Sequence, residues 1–108
     1  PAVRRPFQKG GPLEGLFTQN LFDALVSFAY NLGSGFATVS SGFETIQRAI
    51  KDRDIKAIAN CLYLYRSPRT PFELGLLRRR LTERNIILKK DYRQVSLSEA
   101  KKFLGSLQ

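Results

Sequence analysis

Residues 17–35, FTQNLFDALVSFAYNLGSG, decide the fold of this chain. At 100° per residue the apolar side chains fall on two adjacent stripes, Leu21, Leu25, Phe28 and Leu32 on one and Phe22, Val26 and Ala29 on the other. An apolar face of that width is typical of a helix surrounded by other helices. Gly33 and Gly35 predict its end, since glycine readily takes the left-handed backbone that closes a helix. The stretch therefore predicts a core helix.

Capping signals predict four more helices downstream. In the capping box, a Ser or Thr hydroxyl and a glutamate three residues later satisfy each other's unpaired backbone amides. The box Ser41–Glu44 predicts a helix to about Lys51, and either Asp52 or Asp54 is the predicted cap of the next helix. Thr70–Glu73, with Pro71 at the first helical position, predicts a helix to about Ile86. The box Ser96–Glu99 predicts the start of the last helix. No strand alternation and no repeat are visible, so the sequence predicts an all-α bundle of about five helices.

Composition divides the chain into three parts. Residues 1–17 hold three of the five prolines and the triplet Gly10-Gly11-Pro12, which predicts an extended arm. Residues 18–88 carry the helical patterns and form the lobe. Residues 89–108 form a basic tail with a short C-terminal helix and the lysines Lys89, Lys90, Lys101 and Lys102.

The charge balance indicates an anionic partner. Eighteen Lys and Arg against nine Asp and Glu give a net charge of +9, which suits nucleic acid, a membrane surface or the bacterial cell wall. No apolar run approaches the roughly 20 residues of a membrane span. The opening PAVRRPFQKGG lacks the apolar core of a signal peptide.

Residue types restrict the available chemistry. There is no histidine, so the usual general base and the commonest metal ligand are missing. The single cysteine, Cys61, falls in the apolar pattern of a helix and is predicted to be a buried small hydrophobe. The sequence predicts no metal and no cofactor.

Four arginines, Arg78, Arg79, Arg80 and Arg84, lie on the helix that follows Thr70. One interpretation is a solvated basic face with i,i+3 and i,i+4 pairs to Glu73 or Glu83. The other is a binding surface for a saccharide carboxylate, a phosphate or an acidic protein. Nucleic-acid binding would require basic residues interleaved with exposed aromatic side chains.

Two stretches resemble a known family. FTQNLFDALVSFAYNLGSG (17–35) is similar to the central helix of the phage-type lysozymes, the muramidases of glycoside hydrolase family 24, and ELGLLRRRLTERNIIL (73–88) looks like their last core helix. Order and spacing agree over residues 16–88. The resemblance implies the fold of the family's larger, C-terminal lobe and peptidoglycan as the substrate. It also implies synthesis in the bacterial cytoplasm and action on the cell wall.

The resemblance also implies which residues a catalytic site would contain. In the family a Glu followed by Gly, then an Asp and a Thr near a Gly-rich hairpin, carry the hydrolysis, with the glutamate as general acid. The nearest match here is Glu14-Gly15 with Asp23, but Ala29 stands where the threonine is wanted and no hairpin intervenes. The alternatives are an arm glutamate and a helix-surface aspartate. Tyr30 and Asn31 lie at the corner that approaches the saccharide cleft in the family, and we expect substrate or inter-lobe contacts there.

The sequence features and the resemblance lead to three alternative functions. The first is a lysozyme-family helical lobe that acts on peptidoglycan together with a complementary N-terminal lobe supplying the catalytic glutamate. The second is a lobe without catalysis that serves as a protein-binding or inhibitory phage protein. The third is a basic nucleic-acid-binding domain.

Overall fold

The computed structural model describes residues 2–37 and 42–107, and all regular secondary structure in these ranges is helical. Three short 3-10 helices accompany the α-helices, at Ala2–Phe7, Ser34–Ala37 and Leu62–Leu64. The five α-helices are α1 Gln19–Leu32, α2 Glu44–Lys51, α3 Ile55–Cys61, α4 Glu73–Lys89 and α5 Leu97–Ser106. The prediction of an all-α bundle of about five helices is confirmed.

Three of the predicted helix ends are confirmed by their caps. The α1 helix ends at Gly33, whose φ of 88° lies in the region that favours glycine. Asp54, rather than Asp52, caps α3 by accepting a hydrogen bond from the amide of Ala57 at 3.0 Å. Ser96 caps α5 through the amide of Glu99 at 3.1 Å. Asp54 and Ser96 each satisfy an amide that a helix leaves unpaired at its start, and the amide of Gly33 donates to the carbonyl of Ala29 at the end of α1.

The start of α4 differs from its prediction. The helix begins at Glu73, not at Pro71, because the hydroxyl of Thr70 accepts from Phe72 in a turn of its own, at 3.3 Å. The carboxylate of Glu73 accepts from the amide of Arg69 at 3.2 Å instead of from Thr70. For α2, the predicted cap Ser41 lies outside the described residues, and the helix begins at Glu44, two residues later than the Ser41–Glu44 box predicts.

The main core surrounds α1. Phe28 is fully buried and meets Phe36 and Tyr65 edge-on, with ring centroids 5.1 and 5.5 Å apart. A second apolar cluster joins α4 to α5 through Leu77, Leu81, Val95 and Ala100. Cys61 is buried as predicted, and burial raises the pKa of its thiol to about 11.

The segment before α1 is folded, and the prediction of an extended arm is wrong. Its apolar side chains enter the core, with Val3 6% and Leu13 0% exposed. The guanidinium of Arg53, in the turn between α2 and α3, donates to the carbonyls of Pro12 and Glu14 at 3.2 and 2.8 Å. A chain rich in proline and glycine is thus held in place by buried side chains and by a distant arginine.

None of the helices in the described part of the chain is long and apolar enough to cross a membrane.

Candidate functional site

A buried ion pair lies where α1 packs against α4. Arg80 and Glu83 are 0% and 1% exposed. Arg80 approaches the carboxylate with two nitrogens, Nη2 to Oε2 and Nε to Oε1, both at 2.8 Å. The Nε contact is ionic and poorly aligned for a hydrogen bond, since neither atom forms one. From α1, the hydroxyl of Ser27 donates to Oε2 of Glu83 at 2.6 Å.

Burial and charge act in opposite directions on this pair. Burial raises the pKa of the Glu83 carboxyl, while the charge of Arg80 and the hydrogen bond from Ser27 lower it. Burial also lowers the pKa of the Arg80 guanidinium, and Glu83 opposes that shift. A guanidinium remains protonated at physiological pH, so the carboxylate beside it has a permanent counter-charge.

The ion pair fixes the orientation of the Asn31 side chain. Nη1 of Arg80 donates to Oδ1 of Asn31 at 2.9 Å. A guanidinium has only donors, so the amide oxygen must point towards Arg80. Asn31 is exposed at the end of α1, and its NH2 group is therefore left to donate to another molecule.

Tyr30 and Arg79 lie beside Asn31 and complete a surface that we call the Tyr30 surface (Tyr30, Asn31 and Arg79). Tyr30 is 86% exposed, and the guanidinium of Arg79 lies 5.7 Å from its ring centroid. Arg79 is anchored to α1 by a hydrogen bond to the carbonyl of Ser27 at 3.1 Å. Next to it is an open groove of about 370 Å³, lined by Ser27, Gly75, Arg79, Thr82 and Gln94.

The four arginines do not form a solvated basic face, although the pairs to Glu83 that this interpretation expected are present, from Arg79 at 3.6 Å and from Arg80 at 2.8 Å. Arg80 is fully buried and has no exposed surface for direct contact with a partner. Arg78 donates to the carbonyl of Val95 at 3.1 Å, and Arg84 to Oδ1 of Asn85 at 3.0 Å, so both are half-buried against the chain. Arg79 and Arg80 connect α4 to α1, and Arg78 connects it to the segment before α5. Arg79 alone among the four adjoins the exposed Tyr30.

The catalytic candidates Glu14 and Asp23 have separate hydrogen-bond partners. The exposed carboxylate of Glu14 accepts from the amide of Gly10 at 2.6 Å. Asp23 accepts from the Gln19 amide at 2.7 Å and from the Tyr92 hydroxyl at 2.6 Å. Within residues 2–37 and 42–107, no three His, Cys, Asp or Glu side chains are grouped as a metal site would require.

A larger open groove, of about 650 Å³, lies along α2. Charged side chains of both signs line it, among them Glu44, Arg48 and Lys51. None of the predicted site residues contributes to it, so size alone does not identify the candidate site here.

Sequence reasoning named Glu83 as a partner of the arginines but missed its burial and its contact with Ser27. The signal available was local: Ser27 and Asn31 are one turn apart on α1, and Arg80 and Glu83 are one turn apart on α4. That the two pairs face each other depends on contacts between residues 56 positions apart, which a single sequence does not show.

Together these features define an all-α domain in which a buried Arg–Glu pair between two long helices supports an exposed Tyr-Asn-Arg surface. The family model described as Phage lysozyme matches residues 11–83, about two thirds of the chain. The chain therefore belongs to the phage lysozyme family, as its resemblance predicts. The match begins at Gly11, inside the segment expected to be an arm, and ends within α4. No curated protein and no solved structure matches the chain.

Proposed function

We propose that this chain is the glycan-binding helical lobe of a peptidoglycan muramidase, and that the Tyr30 surface contacts the glycan strand. The general acid comes from a polypeptide segment other than residues 1–108, in a complementary lobe. Membership of the phage lysozyme family supports peptidoglycan as the substrate.

The observation that carries the proposal is the orientation of Asn31. Because Arg80 donates to the amide oxygen, the two N–H donors of the exposed Asn31 remain for a ligand, next in sequence to the exposed ring of Tyr30. The N-acetyl carbonyls and the lactyl carboxylates of peptidoglycan are acceptors. A sugar ring can pack on Tyr30 while Arg79 provides a positive charge beside it. These are the contacts that a polar, partly anionic glycan requires.

The environments of the carboxylates support a separate source for the general acid. A glycosidase acid needs a raised pKa and access to the glycosidic oxygen. Glu83 has a raised pKa, but it is 1% exposed and bound by Arg80 and Ser27. Glu14 is accessible, but it lies on a different segment from the Tyr30 surface, and its carboxylate accepts a hydrogen bond from a backbone amide.

The test is binding to purified bacterial sacculi by co-sedimentation, with Asn31→Asp as the decisive variant. Aspartate keeps the shape of asparagine and still accepts from Arg80, but it removes both outward donors and adds a negative charge. We expect binding to fall by about tenfold, as for a lost hydrogen bond with a charge penalty, with no loss of thermal stability.

Asn60→Asp on α3 is the matched control, because Asn60 is exposed and the charge change is identical. Equal loss in both variants would show that net charge, and not the Asn31 donors, governs binding. No binding by the unsubstituted chain would reject the glycan proposal and favour the alternative of a protein-binding lobe.

Hydrolysis is tested separately by the turbidity of a bacterial cell-wall suspension. The chain by itself should leave the turbidity unchanged. Lysis that Glu14→Gln abolishes would instead assign the general acid to Glu14.

A further inference from the structure

The second exposed aromatic surface of the molecule lies at the opposite end of α1 from Tyr30. Three phenylalanines form it: Phe7 and Phe22 are half-buried, and Phe17 is 53% exposed. The ring centroids of Phe17 lie 5.5 Å from Phe7 and 5.4 Å from Phe22. Arg4 covers the ring of Phe22, with its guanidinium 5.5 Å from the centroid.

The segment that carries Phe7 is positively charged. Residues 2–13 contain Arg4, Arg5 and Lys9, all exposed, and no carboxylate. The first acidic residue, Glu14, turns its carboxylate to the amide of Gly10. Arg4 contacts the rings directly, and Arg5 and Lys9 are exposed residues of the same segment. We call the six residues Arg4, Arg5, Phe7, Lys9, Phe17 and Phe22 the aromatic–basic patch.

The rings leave a groove rather than a flat platform. They pack edge-to-face or tilted against one another, and an open groove of about 190 Å³ runs between them, lined by Arg4, Phe7, Gln8, Phe17 and Phe22. Nucleic-acid bases stack on open ring faces. Here Arg4 already covers one face of Phe22, and a groove between rings suits a flexible acyl chain better than a flat base.

We propose that the aromatic–basic patch binds the surface of an anionic lipid bilayer. Phe17 enters the boundary between headgroups and acyl chains, and Arg4, Arg5 and Lys9 contact lipid phosphates. An apolar side chain flanked by basic residues is the combination that associates proteins with such surfaces. The patch shares no residue with the Tyr30 surface, so the inference is independent of the glycan proposal.

The first experiment uses the absence of tryptophan from the chain. Phe17→Trp introduces a single fluorescent reporter at the centre of the patch. With vesicles of equal parts phosphatidylglycerol and phosphatidylcholine, we expect its emission to shift to the blue as the indole leaves water. Phe72→Trp is the matched control, because Phe72 is 70% exposed and lies on the turn before α4. Its emission should not shift.

The second experiment measures co-sedimentation with the same vesicles and compares the chain without a tryptophan reporter with single-residue variants of it. Phe17→Ser should weaken binding about tenfold through loss of the apolar contact. Arg4→Gln should weaken it about fivefold, as expected for one cation at an anionic surface. Because Phe17 and Arg4 are exposed, thermal melts should show both variants folded.

Three results would overturn the proposal. One is equal binding to vesicles of pure phosphatidylcholine, which carry no net charge. Another is an unchanged affinity of Phe17→Ser for the anionic vesicles. The third is that the chain binds a single-stranded oligonucleotide in a way that requires Phe17 but does not bind vesicles. That result would assign the patch to nucleic acid.

Discussion

Arg4, Arg80 and Arg84 each lie over a phenylalanine ring, and the surroundings of the first two differ completely. Arg80 lies 5.0 Å from the ring centroid of Phe28 in the core, and Arg4 lies 5.5 Å from that of Phe22 at the surface. The buried guanidinium is bound by Glu83 and Asn31, whereas the exposed one faces solvent. The same pair of residue types therefore holds helices together in one place and lies on the surface proposed to bind lipid in the other.

The largest expected effect is that of Arg80→Met. Methionine fills a similar volume but leaves the buried carboxylate of Glu83 with only the partly exposed Arg79, 3.6 Å away, as its counter-charge. Removal of one partner of a buried ion pair costs about 3–5 kcal/mol of unfolding free energy. Urea denaturation followed by circular dichroism measures it. A loss below about 1 kcal/mol would show that Glu83 reaches water and that the core is less sealed than the structure indicates.

The same variant should acquire a dependence on pH. Without Arg80, burial holds the pKa of Glu83 further above its value in the unfolded chain. The folded state then binds the proton more tightly, so stability is greatest in acid and falls as pH rises towards the folded-state pKa, by at most about 1.4 kcal/mol per pH unit. Thermal melts between pH 5 and pH 8 should show a falling melting temperature for the variant and a flatter profile for the unsubstituted chain.

An intermediate effect is expected for Ser27→Ala. It removes the hydroxyl that donates to Glu83 at 2.6 Å but leaves the ion pair in place. A hydrogen bond to a charged group contributes about 1.5–3 kcal/mol. Ser98→Ala on α5, where the side chain is exposed, is the control and should change the denaturation midpoint little.

The smallest effect on stability is expected for Arg4→Met, the exposed counterpart of Arg80→Met. An exposed cation–π contact is weak, and the free energy of unfolding should change by less than about 0.5 kcal/mol. The same urea denaturation checks it. A loss comparable to that of Arg80→Met would remove the distinction between the two arginines.

The sequence predicted most of the fold because the signals for α1, α3 and α5 are local. The apolar stripes of α1 and the caps at Asp54 and Ser96 depend on residues within one helix or next to it. The start of α4 was missed by two residues, since Thr70 makes a turn of its own. A capping pattern does not distinguish these two hydrogen-bonding choices.

The candidate site was predicted in part. Tyr30, Asn31 and Arg79 were named and do lie together, but the burial of Arg80 was not foreseen. Four arginines on one helix look like a solvated face in a single sequence. Only the packing of α1 across α4 shows that Arg80 is buried, because its burial depends on contacts between residues 49 and 56 positions apart in the sequence.

Arg53 has a consequence for how the molecule opens. Its two hydrogen bonds connect residues 39 and 41 positions apart and fasten the 12–14 backbone over the buried Leu13. Local unfolding of this segment requires its two hydrogen bonds to Arg53, in the turn between α2 and α3, to break at the same time. Amide hydrogens around Leu13 should therefore exchange with solvent together with those of the helical core, rather than with the rapid exchange of a loose strand.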